Sequence, residues 1–149
     1  MRIALIFLTL LFSSAHAEET TESSVKYRQT VMYAMANHMG LSKLIVKGQV
    51  DGREGDLVAT AQALQALGAN LEESFPKGSG PQSKVETEAL DTIWSDAEGF
   101  TAAVKAYNDA TAAFVEAAKT GDMAKAAEAR GKVGQSCGGC HESYRKDDN

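Results

Sequence analysis

"LDTIWSDAEGFTAAVKAYNDATAAFVEAA", residues 90–118, is the stretch that decides the fold. Leu90, Ile93, Ala97, Phe100, Val104, Tyr107, Phe114 and Ala118 recur at the spacing of an amphipathic helix with one buried face. Its start is open at this level. Ser83 and Glu86 read as a capping box, but a helix from Ser83 would run to about 36 residues, or ~54 Å. A start near Asp91 suits a compact bundle better.

Working outward, the chain keeps the same period. Pro76 and Pro81, its two prolines, bracket the one loop-like stretch, "SFPKGSGPQS" (74–83). Before it, a helix is expected over about 54–73, with Leu57, Ala61, Leu64, Gly68 and Leu71 in register and a capping box of Asp51 and Glu54 at its start. A first helix is expected over about 24–47, with Val25, Arg28, Met32, Met35, Met39 and Val46 on one stripe and Gly48 as its stop. After the break "TGD" (120–122), a last helix runs to about Arg145. No alternating strand pattern and no internal repeat is present. Four amphipathic helices with short connections predict an all-α, antiparallel up-down-up-down four-helix bundle.

Residues 1–17 read as a cleaved signal peptide: Arg2, an apolar run from Ile3 to Phe12, then a small-x-small end at Ala15-His16-Ala17. The run is too short to span a bilayer, so export is expected and stable membrane insertion is not. No cysteine stands at the cleavage point, as a lipoprotein would require. No paired arginines precede the run, so the chain is expected to cross unfolded and acquire any cofactor in the periplasm. Removing 17 of 149 residues leaves 132, residues 18–149, enough for one domain with its own core. Arg2 and His16 leave with the leader, so 14 basic residues face 20 acidic ones, a formal charge of −6. Such a surface offers nucleic acid no basic stripe.

Both cysteines lie within "SCGGCHESYR" (136–145). Cys137-Gly-Gly-Cys140-His141 is the C-x-x-C-H attachment signature of c-type haem. Cysteines three apart on a helix project from one side and can each add to a haem vinyl group. The histidine after the second then reaches iron through Nε2. A redox dithiol usually opens a helix after a strand, whereas this motif closes a helix. A zinc site needs a fourth ligand, for which His38 is the one spare imidazole. A disulfide would leave the histidine unexplained. Haem attachment uses all three side chains.

With "CHESYRK" at the C-terminus, "KYRQTVMYAMANHMG" near the mature N-terminus and "IWSDAEGF" in the third helix, the chain resembles the cytochromes c′ over essentially its whole mature length. Cytochromes c′ are themselves standard examples of the up-down-up-down bundle, so the two readings of the fold are not independent. The resemblance implies one covalent haem c per chain, held by Cys137 and Cys140, with His141 as proximal iron ligand. It also implies that Arg28 pairs with a haem propionate, that Gln29 beside it contacts the haem, and that Arg145 borders the proximal face. Arg28 on an apolar stripe points the same way, because an unpaired guanidinium there is costly. Arg145 lies one helical turn beyond His141.

Function turns on the opposite face of the iron. The resemblance puts Met32 there, either as an apolar plug that leaves iron five-coordinate or as a sixth ligand suited to electron transfer. The plug is expected. Met35 and Met39 share the stripe as packing residues. His38 lies about 120° around the helix from Met32, so it is expected to be solvated or structurally bonded. A distal pocket without a donor should admit NO, and CO more weakly, while disfavouring O₂. NO also weakens the bond opposite it, which would leave Arg145 beside a vacated proximal side. Electron carriage with a redox partner protein is the second function class. Peroxide turnover is third, because the first helix shows no His–Arg pair to drive it. Val31, Ala34, Leu41 and Ile45 lie off the Met32 face, and this second apolar stripe, with the resemblance, predicts a homodimer.

Overall fold

The computed structural model describes the backbone of residues 8–147 and the side chains of residues 21–147. Of the expected leader, residues 1–7 lie outside the described residues. The elements are α1 (Leu8–Val46), α2 (Asp56–Gly68), a 3₁₀ turn (Glu72–Ser74), α3 (Thr92–Ser95), α4 (Ala97–Lys119) and α5 (Met123–Tyr144). α1 packs on α2 and α5, and α4 packs on the same two helices, which closes the four long helices into a square bundle. Among the described residues the one departure from helix and loop is an antiparallel bridge between Ala89 and Arg145. No described helix is long and apolar enough to cross a membrane.

α1 is already helical at Leu8, the first described residue, ahead of the expected start near Ser24; neither glycine nor proline interrupts the chain from residue 8 to residue 39. It stops where expected. Gly48 turns left-handed (φ 62°), Gly48 N donates to Ile45 O (2.9 Å) and Gln49 N to Leu44 O (2.9 Å), the paired bonds of a Schellman ending.

α2 is shorter than the expected 54–73, and the capping box of Asp51 and Glu54 does not form. Gly55 precedes the helix and has no side chain to cap with, so Asp56 N and Leu57 N bond to Arg53 O (2.9 Å) and Glu54 O (3.3 Å) instead. The helix ends at Gly68, packed flat on the Tyr107 ring, while Tyr107 Oη donates to Leu64 O (2.7 Å). Leu71 stays buried beyond it.

The third helix of the sequence is two helices. Ser83 caps nothing long, since its hydroxyl accepts from Val85 N (3.2 Å) within the loop. The cap is Asp96, whose non-helical backbone (φ −121°, ψ 58°) separates α3 from α4 and whose carboxylate accepts from Gly99 N (3.2 Å). That break shifts the register, leaving Ala97 exposed while Ile93, Phe100, Val104, Tyr107, Phe114 and Ala118 are buried. α5 follows the expectation, with Asp122 accepting from Ala124 N (3.0 Å) and Lys125 N (3.1 Å).

Val25, Leu57, Leu64, Phe114 and Val133 are fully buried at the centre. Each such side chain contributes about 1.5–3 kcal/mol. Val31 and Ile45 belong to this same core, and Leu41 packs against it. The expectation that they form a face for a second chain is therefore corrected. α1 is gripped by α2 and α5 together and needs two apolar stripes within one chain. Among its described side chains, the exposed large apolar ones are Tyr27, Tyr33 and Leu44.

Candidate haem site

The last turns of α5 carry Cys137, Cys140 and His141, all half-buried, and all three line one cavity of about 520 Å³. The two thiols are not bridged. Burial pushes the pKa of both thiols up, which favours the neutral S–H form. Among the described residues no cluster of three His, Cys, Asp or Glu side chains is arranged to hold a metal ion.

Across from α5 the wall is α1, through Met32, Met35, Ala36 and Met39. The remaining walls are Leu71, Phe75, Ile93, Phe100, Val104 and Tyr107. The aromatic rings meet edge to face, Phe75 on Phe100 at 5.0 Å and Phe100 on Tyr144 at 5.3 Å between centroids. Tyr144 is anchored by donating to Asp96 Oδ2 (2.7 Å), which pins the turn after His141 to the start of α4. Arg130, on α5, donates from Nη2 to Met39 O (3.0 Å) and from Nε to Ser42 Oγ (3.0 Å), fixing α1 against the helix that carries both cysteines.

Arg28 sits at one end of this cavity with 3 % of its surface exposed. Its guanidinium donates to Ser79 Oγ (2.7 Å), Ser79 O, Thr87 Oγ1 (2.8 Å) and Ser74 O (3.4 Å), and lies 4.6 Å from the Phe75 ring centroid. None of these partners is an anion. Burial lowers its pKa to about 10, so the group remains a cation without a formal counter-charge. Gln29, beside it on the cavity rim, donates to Glu86 O (2.9 Å). Arg145 lines the cavity beside the same segment: its Nε is 3.7 Å from Glu88 Oε2, and Leu90 N→Tyr144 O (3.0 Å) and Lys146 N→Glu88 O (2.8 Å) hold its backbone against residues 88–90.

All seven residues singled out in the sequence thus border one cavity. His38 does not. Its Nδ1 is buried without a hydrogen-bond partner, so the expected solvation or bonding of the imidazole does not extend to that nitrogen. Its half-buried place on α1 keeps water from that nitrogen without supplying a partner. Sequence reasoning missed Phe75, Ser79, Thr87 and Glu88; the proline-bracketed loop with its run of small residues was a signal for the first two, and the last two, beyond it, had none.

A family model described as Cytochrome C' matches residues 23–145. The chain belongs to the cytochrome c′ family. It is 34 % identical over 125 residues to cytochrome c′ of Pararhodospirillum photometricum, covering 84 % of this chain and 98 % of that relative. Among solved structures it is similar to the nitric oxide complex of a variant of cytochrome c prime from Alcaligenes xylosoxidans, with TM-score 0.77, 35 % identity, and coverage of 86 % of this chain and 97 % of that one. A carbon-monoxide-bound variant of the same protein matches with TM-score 0.76 and 35 % identity, over 85 % of this chain and 97 % of that one. Cytochromes c′ bind covalently attached haem c. The residues present suit that group: two neutral thiols and an imidazole on one wall, apolar side chains around them, and an uncompensated buried cation where a carboxylate would end.

Proposed function

We propose that this cytochrome c′ is a periplasmic haem protein, exported by cleavage after Ala17, that binds NO, and CO more weakly, at five-coordinate iron while disfavouring O₂. Cys137 and Cys140 would hold the haem and His141 would ligate its iron. When bound, haem c supplies an iron that takes up diatomic ligands and cycles between Fe(III) and Fe(II).

The observation that carries this reading is the chemistry of the α1 wall. Opposite α5 it presents thioether and methyl groups, Met32, Met35, Ala36 and Met39. The α1 side chains in the cavity that own N–H donors are Arg28 and Gln29, and their hydrogen bonds run to oxygens of the 74–87 segment. Tyr107 Oη is committed to Leu64 O. A polar bound O₂ therefore meets no donor on this wall, whereas NO and CO need none. The NO- and CO-bound structures of the Alcaligenes relative support the ligand class. Binding rather than turnover fits the same wall, because His38 does not face the cavity.

Electron transfer with Met32 as sixth ligand is the second reading, favoured by the half-buried thioether of Met32 on the cavity wall. A redox partner protein belongs to it. A homodimer is retained on Tyr33 and Leu44, which stay exposed on α1, and sedimentation showing monomer alone at micromolar protein would remove it.

Expression in a host with periplasmic haem-attachment machinery should yield one covalent haem per chain, lost in the Cys137→Ala, Cys140→Ala variant. The ferrous protein should then take up NO and CO. A stable ferrous O₂ complex would overturn the ligand preference.

A further inference from the structure

The loop "SFPKGSGPQS" is built to deliver one side chain, and that side chain is neither a thioether-forming cysteine nor an iron ligand. Pro76 opens a turn closed by Ser79 N→Pro76 O (3.1 Å), with Gly78 at its third position in the left-handed region (φ 89°) that a type II turn reserves for glycine. Gly80 follows, lying flat on Trp94, where an added Cβ would fall 2.9 Å from Cη2. Trp94 is itself held by donating to Phe75 O (3.0 Å). Between the two glycines Ser79 is completely buried, and it accepts from both terminal nitrogens of Arg28, through Oγ from Nη1 (2.7 Å) and through its carbonyl from Nη2.

Two acceptors on one residue fix both the position and the plane of the guanidinium. The two terminal nitrogens own four N–H groups, and four protein oxygens take them: two on Ser79, one on Thr87 and one on Ser74. Arg28 is thus not poised as an open fork for a carboxylate. It is a cation clamped in place by the loop, acting on a neighbouring anion through its charge and its Nε.

We propose that Ser79 is a positioning residue that holds Arg28 as a fixed counter-ion beside the haem carboxylates and thereby sets the reduction potential. This rests on the reading that Arg28 faces a haem carboxylate. A fixed buried cation near the haem favours the electron-rich ferrous state, and water cannot replace Ser79 because the site is closed to it.

The test is potentiometry of holoprotein. Arg28→Gln should lower the reduction equilibrium constant on the order of tenfold, which is 59 mV for one electron. Ser79→Ala should lower it about threefold, and Ser79→Thr, which keeps the hydroxyl, should restore the wild-type value. Should Ser79→Ala fail to give holoprotein, Ser79→Cys, a near-isostere with a weak acceptor, must shift the potential the same way. On the Arg28→Gln background Ser79→Ala should add nothing, because its effect runs through the guanidinium. If Arg28→Gln leaves the potential unchanged, the counter-ion reading and the proposal both fall. If Arg28→Gln shifts it but Ser79→Ala does not, or shifts it equally in both backgrounds, the role of Ser79 alone is refuted.

Discussion

Replacing Arg28 by methionine sets two opposed effects against each other. Burial lowers the Arg28 pKa from 12.5 to about 10, a cost to the charged form of about 3 kcal/mol at 1.36 kcal/mol per pKa unit. Methionine escapes that cost. Against it stand three well-formed bonds from a charged donor, to Ser79 Oγ, Ser79 O and Thr87 Oγ1. At the low end of about 1.5 kcal/mol each they contribute roughly 4–5 kcal/mol. The contact with Phe75 at 4.6 Å adds about 1–2 kcal/mol in a desolvated setting. The bonds win. Arg28→Met should destabilise the protein by about 3 kcal/mol. Urea unfolding followed by far-ultraviolet circular dichroism, with the denaturant slope unchanged, measures it. A variant as stable as wild type, or more so, would refute the claim that the loop oxygens outweigh the burial of the charge.

Two further outcomes follow from local geometry. The Tyr144 hydroxyl, held by Asp96, titrates at about 12 instead of 10. The folded state keeps that proton where the unfolded chain has lost it, so the contribution is intact below pH 10 and disappears as pH rises to about 12. Tyr144→Phe should flatten the fall in urea midpoint over this window, and parallel curves for variant and wild type would contradict it. Gly68→Ala would press its new methyl into the Tyr107 ring and should cost about 1–3 kcal/mol in thermal or denaturant unfolding. A neutral result would mean that α2 and α4 are not packed at this point as described.

The bundle was legible because hydrophobic period survives translation into packing. Leu57, Ala61, Leu64, Phe100, Val104 and Phe114 all repeat at helical spacing and are all buried. Helix ends were less legible where two signals of equal form competed. Asp51/Glu54 and Ser83/Glu86 match the capping pattern, yet the cap that forms is Asp96 onto Gly99, chosen by the packing of Tyr144 against Asp96. The cavity-lining residues Arg28, Met32, Cys137, Cys140 and His141 of α1 and α5 were readable from spacing and resemblance. Ser79, Thr87 and Glu88 were not, because irregular backbone has no period to mark its inward side chains. The off-face residues Val31 and Ile45 misled for a simpler reason. Apolarity marks burial without saying whether the covering surface is the same chain or another.

The central claim is an iron ligated by His141 alone, with Met32 beside the open position as a plug. The resting spin state of ferric protein, read by electron paramagnetic resonance and optical absorption, tests it most directly. The account predicts a high-spin or spin-mixed ferric state whose coordination number is unchanged by Met32→Ala, with that variant binding CO faster and more tightly. A low-spin resting spectrum with a sulfur-to-iron charge-transfer band, converted to high-spin by Met32→Ala, would contradict it and make electron transfer the leading function.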